Sequence, residues 1–189
     1  MLVAITRRVS ASIARCELGY LPRRSIDARK ASEQHALYEA CLSELGLSVI
    51  PLLAEPEMPD AVFVEDTAVV VQELAPFGYT VEAVEIRDCL HMKSACCYLG
   101  RETILANRAW VDTAAFREFR IVDVAPNEPW AANVLVIGET VIIPSSFPAT
   151  ARMLAELGWK VRPLDVSELM KAEAGVTCMS LIFETFPSR

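Results

Sequence analysis

Residues 42–52 (LSELGLSVIPL) recur as residues 154–164 (LAELGWKVRPL), with seven of eleven positions identical. A looser copy stands at 74–84 (LAPFGYTVEAV), and a fourth, without the glycine, at 116–124 (FREFRIVDV). A chain that repeats itself must bury the apolar face of each unit against its neighbours. The copies read the same way: an amphipathic helix ends, a glycine of positive φ breaks it, and a strand follows. The rest of the unit is legible around two of the copies. Strands are expected over 94–99 and 103–107 with a turn at Gly100, then a helix over about 112–119. Strands are again expected over 133–137 and 140–143 with a turn at Gly138, then a helix over 148–157 opened by Pro148. Each unit is therefore ββαβ, and the period is about 40 residues, the size of one supersecondary repeat.

The spacing breaks in one interval. Gly78 and Gly158 lie two periods apart, but Gly46 and Gly78 are separated by only 32 positions. Into that interval must fit a strand at 49–53, strands at 62–65 and 67–72, and a helix. Between Gln72 and Gly78 stand only Glu73, Leu74, Ala75, Pro76 and Phe77, and Pro76 disfavours helix at Ala75. The pattern reads as an internal deletion near 72–77 that removes one to two units from a single domain spanning 1–189.

Composition narrows the function classes. The chain has 189 residues, 53% of them hydrophobic and 23% charged, enough for a real core. A net charge of −7 without a Lys/Arg stripe argues against a nucleic-acid partner. No apolar run reaches the length of a membrane span, and the N-terminus enters a β-like pattern without the form of a signal peptide. The expectation is a soluble, cytoplasmic protein. Six cysteines with no CxxC, and only two histidines, argue against a disulfide scaffold or a structural zinc site.

Three places carry candidate chemistry. Residues 59–66 (PDAVFVED) gather Asp60, Glu65 and Asp66 in a β-like stretch. They read either as a solvated edge or as a carboxylate pocket for a cation. His91 stands at a strand end, as a structural histidine or a general acid/base, whereas His35 lies in a helical, charged stretch. Cys178 opens the last strand, as a buried small hydrophobe or as a nucleophile beside an imidazole. The repeat joins them. Asp60 follows Gly46 by 14 residues, His91 follows Gly78 by 13, and Cys178 follows Gly158 by 20. Each sits just past the same strand of its unit, so units packed around a pseudo-symmetry axis would bring the three together.

The segments 59–66 (PDAVFVED), 90–95 (LHMKSA) and 175–181 (GVTCMSL) resemble the dimethylarginine dimethylaminohydrolase family of the guanidine-modifying, amidinotransferase superfamily. The resemblance extends from Met1 to about Phe183. It implies an α+β fold, a β/α propeller of repeated ββαβ units with pseudo-fivefold symmetry. It implies hydrolysis of N-methylated arginine to citrulline without metal or cofactor. By position, Cys178 resembles the nucleophile and His91 the general acid/base. Asp60, Glu65 and Asp66 match the substrate-holding acidic segment, in which Phe63 also lies. Leu18 resembles a lid contact, and Ala172 aligns with a backbone contact to the amino-acid end of the substrate. The expected partner is a small cationic molecule. The family's Gly-Gly-Asp-like stretch, with an acidic residue supporting the histidine and two arginines for the substrate carboxylate, has no match in this chain. Alternatives stay open at this point: an inactive remnant or binding protein, an arginine deiminase or amidinotransferase, or metal capture by His91, Cys96, Cys97 and Cys178. Missing units also expose strand edges, which favours self-association into a homo-oligomer.

Overall fold

The computed structural model describes residues 1–64, 84–89 and 91–185. Nine strands fall into three small sheets of one pattern among these residues. The first strand, β1 (Leu2–Arg7), leads through a 3₁₀ turn at Ala11–Arg15 into α1 (Ala28–Glu44), and β2 (Ser48–Leu52) returns parallel to β1. A helical turn, α2 (Met92–Ala95), precedes β3 (Cys96–Gly100) and β4 (Thr103–Ala106), an antiparallel pair, and β5 (Arg120–Asp123) lies parallel to β4. The same order follows in β6 (Leu135–Ile137), β7 (Thr140–Pro144), α3 (Pro148–Glu156) and β8 (Lys160–Leu164). After a second helical turn, α4 (Ser167–Met170), the last strand β9 (Leu181–Glu184) pairs antiparallel with β1. The two ends of the described chain therefore complete one ββαβ unit, with Leu2 opposite Glu184.

Local chemistry explains the helices. The Asp27 side chain accepts hydrogen bonds from the Arg29 and Lys30 amides at 3.0 Å each, which holds its carboxyl below the ordinary range and starts α1. The apolar and polar positions Ala31, Gln34, His35, Tyr38, Cys41 and Leu42 recur every three or four residues and form its buried face. Gly46 (φ +90°) and Gly158 (φ +91°) follow the ends of α1 and α3 in the left-handed region, where a side chain would be strained.

The core is divided. One cluster lies under α1 and includes Ala4, Ile13, Tyr38, Leu42, Val176 and Met179. Complete burial of a residue such as Leu42 contributes about 1.5–3 kcal/mol. A second cluster lies between the neighbouring sheets and includes Leu105, Val134, Val141, Ile143 and Leu154. Polar contacts tie the sheets: Trp159 Nε1 donates to the Leu99 carbonyl at 3.2 Å, and the Cys97 thiol donates to the Val134 carbonyl at 3.0 Å. Buried Glu168 joins α4 to α1, accepting from the Asp27 amide at 3.0 Å and from Lys171 Nζ at 2.7 Å. Gln34 Oε1 in turn accepts from the Glu168 amide at 2.9 Å.

Four sequence expectations are corrected. The stretch before β3 is not extended from Ser94: Met92–Ala95 makes a helical turn, and the strand starts at Cys96. The stretch 62–64 is a turn rather than a strand, and Val62, Phe63 and Val64 are all buried in succession, which strand alternation forbids. The helix over 112–119 shortens to a 3₁₀ turn at Thr113–Phe116, with Asp112 capping the Ala114 amide at 2.9 Å. Cys178 does not open the last strand but sits in the turn before it. The expected strand at 67–72, the break near 72–77, and Glu65 and Asp66 lie outside the described residues.

Candidate active site

Four loops supply the candidate residues, each reaching inward from the end of a strand or helical turn. The first follows the 3₁₀ turn and carries Cys16, Leu18, Gly19, Tyr20 and Leu21. Arg23 holds its base, donating from Nη1 to the Ala14 carbonyl at 3.1 Å and from Nη2 to the Cys16 carbonyl at 2.7 Å. The second follows β2 and carries Asp60 and Phe63. The Phe63 amide donates to the Asp60 carbonyl at 3.0 Å, closing a tight turn, and Asp60 Oδ2 accepts from the Glu17 amide at 3.2 Å. Asp60 thus binds the first loop by its side chain while its backbone shapes the second.

The third loop, 171–180, carries Ala172, Glu173, Gly175 and Cys178. The Cys178 amide donates to the Gly175 carbonyl at 3.3 Å. Asn133 supports this turn from the neighbouring unit: its Nδ2 donates to Thr177 Oγ1 at 3.1 Å, and its Oδ1 accepts from the Thr177 amide at 3.2 Å. The Asn133 side chain lies directly on Gly175, where a Cβ would stand 2.1 Å from Asn133 Cγ. Only glycine fits that contact. Behind the turn, the Tyr38 hydroxyl and Ser180 Oγ are 2.6 Å apart. Burial pushes the Tyr38 phenol up, and nearby Cys178 adds to that.

The fourth loop places half-buried His91 ahead of α2, in extended backbone geometry. Its carbonyl accepts from the Ser94 amide at 2.9 Å and from the Cys89 thiol at 3.5 Å.

The loops converge. Phe63, Ala172 and Cys178 are buried members of one apolar cluster, and Leu18 packs against it. Glu173 gathers the first loop with one carboxylate: Gly19, Tyr20 and Leu21 donate their amides to it at 3.0, 2.6 and 2.5 Å. Burial raises the Glu173 carboxyl, but these bonds, aided by the neighbouring His91, outweigh burial and hold it below the ordinary range. Burial also raises the Cys16 thiol, and the charges of Asp60 and Glu173 add to it, against the pull of Arg23. Two carboxylates therefore face the same loop from opposite turns. A small cavity of about 80 Å³ adjoins Glu173, lined also by Leu21, Ser94, Asn133 and Gly175, and Asp60 lies outside its lining. Among the described residues, no group of three or more His, Cys, Asp or Glu side chains is placed to hold a metal ion. No helix among them is long and apolar enough to cross a membrane.

Asn133, Glu173 and Gly175 escaped sequence reasoning. Asn133 carried a usable signal: it follows Arg120, the glycine-equivalent position of its repeat, by 13 residues, as His91 follows Gly78. Gly175 was visible as a glycine ahead of Cys178, but its contact with Asn133 spans 42 positions. Nothing local marks Glu173, whose partners lie about 150 residues away.

No family model matches the chain. A dimethylarginine dimethylaminohydrolase of Pseudomonas aeruginosa is 36% identical over 110 residues, which span 58% of this chain and 43% of that protein's length. A second, of Streptomyces coelicolor, is 24% identical over 249 residues, covering 94% of this chain and 95% of the relative. That alignment is longer than this whole chain of 189 residues, so the relative carries positions with no counterpart here. Among solved structures, a dimethylarginine dimethylaminohydrolase adduct with S-methyl-L-thiocitrulline matches with a TM-score of 0.81 at 24% identity, over 97% of this chain and all of that one. The N-terminal domain of the cyanobacterial arginine dihydrolase ArgZ also matches with a TM-score of 0.81, at 13% identity, over 96% of this chain and 97% of that one. The chain is thus similar in sequence to dimethylarginine dimethylaminohydrolases, and it is built on the α+β, propeller-like fold of these solved structures.

Proposed function

We propose that this protein hydrolyses N-methylated arginine to citrulline and an alkylamine through a covalent intermediate on Cys178. One observation supports it most: Leu18, Phe63, Ala172 and Cys178, from three separate loops, meet in one cluster, and the loop that carries Cys178 lines a cavity with Ser94 of the helical turn that follows His91. The chemistry suits these groups. A guanidinium is cationic and resonance-stabilised, so water attacks it poorly. Carboxylates bind it bidentately and orient its central carbon, a task assigned to Asp60, Glu65 and Asp66. The Cys178 sulfur adds to that carbon and forms a tetrahedral adduct. The bond to the dimethylamine nitrogen then breaks as His91 delivers a proton, leaving an S-alkylthiouronium. The same imidazole takes a proton from water, which adds to the carbon. The carbon–sulfur bond breaks, releasing citrulline and the thiol. The bound cation favours the thiolate by charge pairing.

The reading takes the whole chain as one domain in the cytoplasm, where its six free cysteines stay reduced. It also assigns self-association through the exposed strand edges, testable by light scattering. Citrulline formation from dimethylarginine, followed with Cys178→Ser as control, tests the activity. The wild type is expected to turn over, and the variant to lose at least about a hundredfold in rate. Equal rates would remove Cys178 from the reaction, and relative rates on arginine would separate a deiminase.

A further inference from the structure

Glu173 stands out among charged residues outside the expected site. Its backbone lies in the left-handed region at φ 59°, where a non-glycine residue is uncommon and strained. That conformation aims its carboxylate at three successive amides of another loop, Gly19, Tyr20 and Leu21, at 2.5–3.1 Å. Bonds from neutral donors to a charged acceptor are the stronger kind. The same residue sits one position from Ala172 and five from Cys178, and it lines the cavity shared with Leu21 and Ser94.

We propose that Glu173 is a positioning residue: a latch whose carboxylate holds loop 18–21, and with it Leu18, over the turn that carries Cys178. The latch rests on the proposed hydrolysis for its purpose but not for its existence. Gly19, Tyr20 and Leu21 would otherwise present three adjacent amide donors at the rim of the site. Glu173 gathers them from the side of the nucleophile, so loop closure and the geometry of the Cys178 turn are set by one group. Asp60 adds a second point of attachment at the Glu17 amide. The loop is therefore held on both sides of Leu18, at Glu17 by Asp60 and at Gly19, Tyr20 and Leu21 by Glu173.

Hydrogen exchange on the full-length protein tests the latch without recourse to activity. In Glu173→Gln the peptide covering 18–21 is expected to exchange about tenfold faster, with the rest of the protein unchanged. Glu173→Ala should be faster still, and Glu173→Gln serves if that variant does not fold. Steady-state kinetics on dimethylarginine supplies the second readout. A loosened loop raises KM several-fold more than it lowers kcat, whereas general destabilisation lowers active enzyme and leaves KM alone. Unchanged exchange in a folded Glu173 variant overturns the latch. Faster exchange with unchanged KM and kcat overturns the positioning role. A wild-type protein that makes no citrulline removes the proposed hydrolysis, and the exchange measurement still decides whether the latch exists.

Discussion

The turns at 129–134 and 174–180 hold the same place in successive units, each leading from a crossover strand into the next sheet, yet they hold different chemistry. The first presents Asn133, whose side-chain amide donates one bond to Thr177 and accepts one from it. The second presents Cys178, whose amide donates to the Gly175 carbonyl and which shares a buried cluster with Tyr38. The two are not independent: the Asn133 side chain lies on Gly175 and braces the turn beyond it. A repeat fixes where a side chain enters the centre. It does not fix what that side chain does there. One unit supplies support, and its neighbour supplies the candidate nucleophile.

The largest expected effect comes from breaking the contact between these turns. Gly175→Ala places a methyl group 2.1 Å from Asn133 Cγ and Oδ1, both in a buried side chain. Stability should fall by about 2–3 kcal/mol in denaturant titration, as overpacking does. Adding Asn133→Ala should recover part of that loss, because it removes the clashing atoms. Strict additivity of the two changes would show that the turns do not touch as described.

Asn133→Ala alone is a milder break. It leaves the Thr177 amide and hydroxyl in a buried place without these partners, at a cost of about 1–2 kcal/mol. Activity should fall further than stability, since the Cys178 turn loses its brace. Equal loss in both, read from kcat/KM and the urea midpoint, would make Asn133 a stability residue only.

A smaller effect sharpens the comparison from the support side. Glu128, in the loop leading to the Asn133 turn, accepts from the Ala149 and Thr150 amides at 2.8 Å each and so caps α3. Burial raises its carboxyl, but the amide bonds win and hold it below the ordinary range. A carboxyl lowered on folding stabilises above its unfolded value, and that contribution is lost as pH falls through the lowered folded value. The loss therefore begins below about pH 4.3, the ordinary glutamate value. Glu128→Gln should cost about 1 kcal/mol at neutral pH and flatten the acid limb of the stability curve. An acid limb equally steep in the variant would locate the titration elsewhere.

Much of this fold was legible because its signals are local. The helix–glycine–strand junctions at Gly46 and Gly158 need only a few residues to declare themselves, and both glycines have positive φ in the structure. The hairpin turns at Gly100 and Gly138 were legible for the same reason. The segments read wrongly are those where tertiary packing decides. Val62, Phe63 and Val64 look like a strand because they are apolar and β-branched or aromatic, but they fill the inside of a turn. Met92–Ala95 is too short for any period to separate helix from strand. Within the candidate site, the offsets of Cys178, His91 and Asp60 in the repeat are what single them out, and their roles stand as proposals. Glu173 was not legible, because its role depends on amides supplied from the far end of the chain.

The most direct measurement is acid-quenched turnover followed by peptide mass spectrometry. During hydrolysis of dimethylarginine, the peptide carrying Cys178 should gain the mass of the substrate less dimethylamine, and the gain should vanish in Cys178→Ser. Citrulline formed with no adduct on Cys178, or with the adduct on Cys16 instead, would contradict the assignment of the nucleophile.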